Sequence, residues 1–149
     1  VTTIAWDGQD LAADSLVSLG SIKYTTRKLA RLKDGGILGA AGKSIEITQL
    51  VKYLNGDTSA APKIPSVHAI HITPERNVYL YAGGFDDSPV LDRYVAVGSG
   101  GDIALGAMEA GKSAVQAVEI ACRRDSNSGP PVESLNFLSP GPVNPPDGR

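Results

Sequence analysis

The chain has 149 residues, 42% hydrophobic and 20% charged, with a formal net charge of −2. That is ordinary globular composition, long enough for one domain; it argues against global disorder and gives no electrostatic case for nucleic acid or an anionic membrane as partner. A single cysteine, Cys122, excludes an internal disulfide framework and suits a reducing compartment.

The chain opens with a β-like run from Thr2 to Trp6. Asp7-Gly8 is a two-residue hairpin signal, and Gln9 to Ala13 returns to Asp14-Ser15. An N-terminus held in a strand is unusual, because termini fray unless tied down. Ser21 to Leu32 reads as another pair of short extended pieces, interrupted by Lys and Arg, and Asp34-Gly35-Gly36 is the next turn. Ile37 to Gly42 is a short apolar run ending in small residues. A helix is expected from Ser44, with Ile45, Gln49, Leu50, Tyr53 and Leu54 as a partial stripe and Asn55-Gly56 as its stop.

Asp57 to Ser66 reads as loop. Val67 to Ile72 and Asn77 to Tyr81 read as strands flanking the turn Thr73-Pro74-Glu75-Arg76, and Asp86 to Pro89 as loop. Tyr94 to Val97 is a short strand running into Gly98-Ser99-Gly100-Gly101. A helix follows over Asp102 to Ala110, broken by Gly111. Ser113 caps another to about Arg123, with Ala114, Ala117, Val118 and Ala121 on one face. Arg124 to Pro131 is a polar loop and Val132 to Phe137 a last strand. Leu138 to Arg149 holds four prolines and two glycines, so an irregular tail is expected, with the domain spanning residues 2–138. Strands and grouped helices in this order favour antiparallel sheets with helices outside.

No apolar run approaches the roughly 18 residues of a membrane span. Residues 1–8 lack the basic-then-apolar pattern of a secretory signal. A cytoplasmic protein with no membrane partner is therefore expected. Gly98 to Gly101 invites a phosphate-loop reading but lacks the Gly-Lys-Ser/Thr ending, and Gly42-Lys43-Ser44 has that ending with Leu38 where a glycine is required. His68 and His71, three apart on a strand, point to opposite faces and make a poor metal pair. Cys122 and Trp6 read as packing residues. No metal or cofactor is expected.

One ordered set carries more. Thr2-Thr3-Ile4-Ala5 starts the chain. Ala12-Ala13-Asp14-Ser15 follows the first turn, then Arg27-Lys28-Leu29, then Gly39-Ala40-Ala41-Gly42 before a helix. Gly98-Ser99-Gly100-Gly101 precedes another helix, and Arg124-Asp125-Ser126-Asn127-Ser128-Gly129 precedes the last strand. Singly these are a strand end, an ion pair and polar turns. In this order, over about residues 2–138, they resemble the proteasome β-subunit and HslV family of N-terminal nucleophile (Ntn) hydrolases, as a compact, divergent member of phage or bacterial type.

The resemblance implies an α+β fold, a four-layer αββα sandwich with two antiparallel sheets between helical layers. It implies a threonine endopeptidase with Thr2 as nucleophile and the Thr2 α-amine as general base. A free α-amine has a pKa of about 7.7–8.0, so a neutral fraction exists near neutral pH without a histidine. Asp14 and Lys28 match the acid and base pair beside the threonine, where an ammonium favours loss of the hydroxyl proton. Gly42 matches the oxyanion donor, a role worth about 10²–10³ in rate. Ser99, Asp125 and Ser128 match the groups around the α-amine, and Ala40 a wall of the specificity pocket. The implied partners are unfolded polypeptide or peptide substrate, further copies of the chain in a ring or stacked rings, and an ATP-dependent unfoldase.

The sequence departs from the family at Val1, which precedes Thr2. A nitrogen in a peptide bond is no base. Residue 1 is removed by autolysis, or is an added residue, or is a GTG start read as Val, whose Met is trimmed before the small Thr2; the last is favoured. A retained Val1 would leave a silent structural member of an assembly, and an amidase on a small substrate is the other alternative. Spacings are also short, with Asp14 twelve residues after Thr2 and one helix near Ser44–Asn55.

Overall fold

A computed structural model of the chain describes residues 2–84 and 88–138. The expected tail, and residues 86 and 87 of the expected Asp86–Pro89 loop, lie outside the described residues.

The first hairpin is as the sequence reads it. Strand β1 (Ile4–Trp6) pairs antiparallel with β2 (Asp10–Ala13), placing Ile4 opposite Ala13 and Trp6 opposite Leu11. The turn closes because Gly8 takes a positive φ of 94° and the Asp7 carboxylate accepts the amides of Gln9 and Asp10 at 2.8 and 2.7 Å. The other Asp7 oxygen accepts the Ala114 amide at 2.8 Å and so ties the turn to a helix start.

Strand β3 (Leu16–Leu19) follows and pairs with β4 (Ile22–Thr25) as a two-stranded ribbon around Gly20. Ser21 to Leu32 holds two short extended pieces, as expected, but they do not pair with each other. The ribbon's first strand lies earlier, and β5 (Leu29–Arg31) pairs instead with β6 (Ile37–Ala41). β4 is exposed at every position, so no one-sided hydrophobic pattern marked its partner.

Helix α1 (Ser44–Leu54) then leads to β7 (His68–Ile72) and β8 (Val78–Ala82), joined by the expected Thr73–Arg76 turn. β9 (Val95–Val97), α2 (Gly101–Glu109), α3 (Ala114–Arg124) and β10 (Glu133–Asn136) complete the order. One sheet runs β10-β2-β1-β9 and another β5-β6-β7-β8, antiparallel throughout.

Three cores account for the packing. Ile4, Trp6, Leu11 and Ala13 of one sheet share a core with Leu29, Ile37, Ile70, Ile72 and Val78 of the other. Burying each large side chain contributes about 1.5–3 kcal/mol, and truncation to alanine in such a core costs about 2–5 kcal/mol. A Cβ on Gly39 would sit 2.8 Å from Ile4 Cγ2, so this approach requires glycine. A second core sets Leu38, Ala40, Ala69 and Tyr81 against Leu50 of α1. The third sets Ala5 and Ala12 against Ala104, Met108, Ala114, Ala117 and Val118 of α2 and α3, whose small side chains let helix and sheet close up.

The helix ends follow local chemistry. Ser113 and Gln116 form a reciprocal capping box, and Ala114, Ala117, Val118 and Ala121 face inward as expected. The α1 stripe needs correcting. Ile45 is 66% exposed, while Leu50, with Ile47, Val51 and Leu54, faces the second core. Counting back from Leu50 at helical spacing brings Glu46 and Ile47 inward and leaves Ile45 outside.

Candidate active site

Thr2 and Thr3 lie just before β1. Their backbone is pressed against the loop that ends β9. The Thr2 carbonyl accepts the Gly100 amide at 3.1 Å. A Cβ on Gly98 would strike that carbonyl, and one on Gly100 would strike Thr3 Oγ1. Both glycines are therefore required by close approach, which explains two of the three glycines in Gly98-Ser99-Gly100-Gly101.

Asp14, at the end of β2, is 1% exposed and surrounded by donors. Oδ1 accepts from Thr2 Oγ1 at 2.8 Å, from Lys28 Nζ at 2.8 Å and from the Thr3 amide at 3.1 Å. Oδ2 accepts from the amides of Gly129 and Leu16 at 3.0 and 3.2 Å. Lys28, just before β5, is buried and also donates to Thr2 Oγ1 at 3.0 Å. A buried ion pair is a weak source of stability but a strong device for holding geometry, provided its remaining polar atoms are satisfied, as they are around Asp14. The hydroxyl thus sits between a carboxylate that takes its proton's hydrogen bond and an ammonium placed to stabilise an alkoxide.

On the nitrogen side, the Thr2 N–H donates to Ser99 Oγ at 3.1 Å. Ser99 Oγ donates to Asp125 Oδ2 at 2.7 Å, and Ser128 Oγ donates to the same oxygen at 2.6 Å. With the Ser128 proton so directed, Thr3 Oγ1 is the donor in its 2.6 Å contact with Ser128. Partial burial pushes the Asp125 carboxyl up, but the hydrogen bonds from Ser128 and Ser99 outweigh it and hold it below the usual carboxylate range. The sequence-predicted residues Thr2, Asp14, Lys28, Ser99, Asp125 and Ser128 thus form one connected network. It joins the hydroxyl and the backbone nitrogen of a single threonine.

Gly42 and Ala40 stand slightly apart. Ala40 donates its amide to the Lys28 carbonyl at 2.9 Å, so the end of β6 runs beside the lysine. Its side chain faces the second core, and the residue is 5% exposed. Gly42 is exposed, has φ 140°, and a Cβ there would lie 2.7 Å from the Ser66 carbonyl. A cavity of about 800 Å³ adjoins the network on another side, lined by Leu16, Tyr24, Arg124, Asp125 and Ser128 among others. Cys122 also borders it. Burial, then the Asp14 charge, pushes its thiol up to about 11, so it is protonated and unreactive near neutral pH.

Three participants take network roles that the sequence reading does not give them, Thr3 being there only a second-choice nucleophile. Thr3 enters through its hydroxyl, and Gly129 and Leu16 enter through backbone amides; no side-chain type advertises an amide. Among the described residues no group of three or more His, Cys, Asp or Glu could hold a metal ion, and no helix is long and apolar enough to cross a membrane.

No protein-family model matches the chain. No curated protein matches it either. Solved structures do. The eukaryotic HslV from Trypanosoma brucei is similar at 25% identity over 91% of this chain and 99% of that one, with a TM-score of 0.70. Thiobacillus denitrificans BPH is similar at 22% identity over 90% and 95%, TM-score 0.68, and its complex with epoxomicin at 20% identity over 90% and 96%, TM-score 0.67. With three helices and antiparallel sheets among the described residues, this chain is an α+β protein of HslV-like fold. Its fold is HslV- and proteasome-β-like, which supports the resemblance to the Ntn hydrolases that its motifs carry.

Proposed function

We propose that the chain is a threonine endopeptidase whose nucleophile is Thr2, working with Thr2 as its first residue. The observation that carries this is the placing of Thr2 Oγ1 within 3.0 Å of Lys28 Nζ while Thr2 N lies 3.1 Å from Ser99 Oγ. One residue thus presents an activated hydroxyl and a nitrogen with a proton path of its own.

In the proposed reaction the neutral α-amine takes the hydroxyl proton as Oγ attacks a peptide carbonyl. Lys28 stabilises the developing negative charge on Oγ, and Asp14 holds Lys28. The Gly42 N–H receives the carbonyl oxygen as it becomes an oxyanion. The ammonium then protonates the leaving amine, and water cleaves the Thr2 ester by the reverse route. Ser99, Ser128 and Asp125 orient the amine, and Ala40, its side chain turned into the second core, borders the specificity pocket beside Gly42 through its backbone. The three cores are read as a four-layer αββα sandwich. Copies of the chain in a ring, supplied with unfolded polypeptide by an ATP-dependent unfoldase, complete the proposal.

A second reading has one specific observation behind it. Val1 precedes Thr2, and while it stays the nitrogen is an amide and the chain is catalytically silent. The intact mass of protein made from its own start codon separates the two. A peptide epoxyketone needs both a free hydroxyl and a free α-amine and is the natural probe; Thiobacillus denitrificans BPH has been solved in complex with epoxomicin. The proposal expects covalent labelling at Thr2 and none in Thr2→Ala, which also loses turnover while staying folded. A panel of peptides against small amides tests the amidase alternative; turnover of small amides alone would favour it.

A further inference from the structure

Glu46 is a charged residue with no part in the network around Thr2, yet it is buried in the first turn of α1. An acidic residue at that position favours a helix N-terminus equally well from the solvent side. Here the carboxylate turns inward and spends one oxygen on Ser66. Oε1 accepts the Ser66 amide at 2.8 Å and the Ser66 hydroxyl at 2.8 Å. Those two hydrogen bonds, the backbone one first, outweigh burial and hold the carboxyl below its usual range, so Glu46 is a constant acceptor at working pH.

Ser66 in turn grips the segment after β6. Its hydroxyl oxygen accepts the Lys43 amide at 2.9 Å. Its carbonyl oxygen would lie only 2.7 Å from a Cβ on Gly42, so the two backbones approach closely. The Gly42–Lys43 peptide is therefore pinned from one side by Ser66, and Ser66 is pinned by Glu46. Gly42 itself is exposed and takes a φ of 140°, a conformation that favours glycine.

We propose that Glu46, acting through Ser66, is a positioning residue that sets the direction of the Gly42 N–H for oxyanion binding. This rests on the threonine-peptidase reading above. A misplacement of about 1 Å in such a donor costs on the order of 10²-fold, so the carboxylate acts on the reaction without touching substrate.

The test uses protein with Thr2 as first residue, in four forms: wild type, Glu46→Ala, Glu46→Gln and Ser66→Ala. The readouts are kcat and KM on a peptide substrate, and the affinity of a peptide aldehyde. The aldehyde forms a hemiacetal with Thr2 Oγ and places its oxygen at the Gly42 amide. Glu46→Ala is expected to lower kcat by about 10- to 100-fold with little change in KM, and to weaken aldehyde binding by a similar factor. Ser66→Ala is expected to act in the same direction by about tenfold, and stands in if Glu46→Ala does not fold. Glu46→Gln keeps an acceptor oxygen and is expected to restore most of kcat. A kcat loss without loss of aldehyde affinity, or a folded Glu46→Ala or Ser66→Ala with wild-type kcat, overturns the proposal alone. A wild type that neither turns over nor takes an epoxyketone overturns the reading of the site, and this proposal with it.

Discussion

Two buried polar groups in this molecule are treated in opposite ways. Asp14 lies just past the end of β2 with five donors on its two oxygens. His71 lies on β7, 8% exposed, stacked on Tyr79 at 5.8 Å, and neither ring nitrogen has a hydrogen-bond partner among the described residues. A buried polar group with partners specifies geometry, and one without them costs about 1–3 kcal/mol. The contrast separates the part of the chain organised for chemistry from a part that merely tolerates a polar side chain. Burial pushes the His71 imidazole below its ordinary range, partly offset by the Asp34 charge.

The largest effect should come from breaking the satisfied cluster. Lys28→Met removes the ammonium from Thr2 and Asp14 together. Turnover is expected to fall by about 10²–10³. Asp14 keeps four other donors, so the stability loss should stay below the roughly 3–5 kcal/mol typical of an orphaned buried charge. Steady-state kinetics and urea unfolding measure the two; full activity in a folded variant would remove Lys28 from the mechanism.

Ser128→Ala is the next test. It deprives Asp125 of one donor and Thr3 of its partner, and Asp125 should titrate closer to the usual carboxylate range. The acid limb of the pH–kcat profile is expected to move to higher pH, with a loss of about tenfold at the optimum. An unmoved limb would mean that Asp125 does not tune the amine.

The smallest effect comes from the unsatisfied group. His71→Phe keeps a ring on Tyr79 and removes two unpaired nitrogens, so it should stabilise the fold by about 1–3 kcal/mol. The wild type should lose stability as pH falls from about 6.5, where the unfolded chain takes up the proton, toward the lower value of the folded imidazole. The unfolded state binds more protons in that window, so stability rises with pH there. Urea midpoints at pH 7.5 and 5.5 test this: His71→Phe should show a smaller drop than the wild type, and equal drops would place the titration elsewhere.

Much of this was legible in the sequence because turns and caps are local. Asp7-Gly8, Asp34-Gly35-Gly36, Asn55-Gly56 and Ser113 mark element ends with residue types that few other conformations favour. The inward face of α3 was readable because its alanines and Val118 repeat at helical spacing. The face of α1 was not, because Ile45 is apolar yet outside and Glu46 is acidic yet inside. Their orientation is set by Ser66, twenty residues away. In the site, the family order picked out the side chains of Asp14, Lys28, Ser99, Asp125 and Ser128. The amides of Leu16 and Gly129 carry no such mark, and only folding brings them to Asp14.

Strand β1 is only three residues long, and it sends Ile4 and Trp6 into one core and Ala5 into another. A slip of a single residue along β2 would exchange an alanine for a bulky side chain on both sides at once, overfilling one core and hollowing the other. The position of Thr2 is therefore set by the sizes of Ile4, Ala5 and Trp6. The depth at which the chain's first hydroxyl sits is a measurement made by packing volume, two residues before the packing begins.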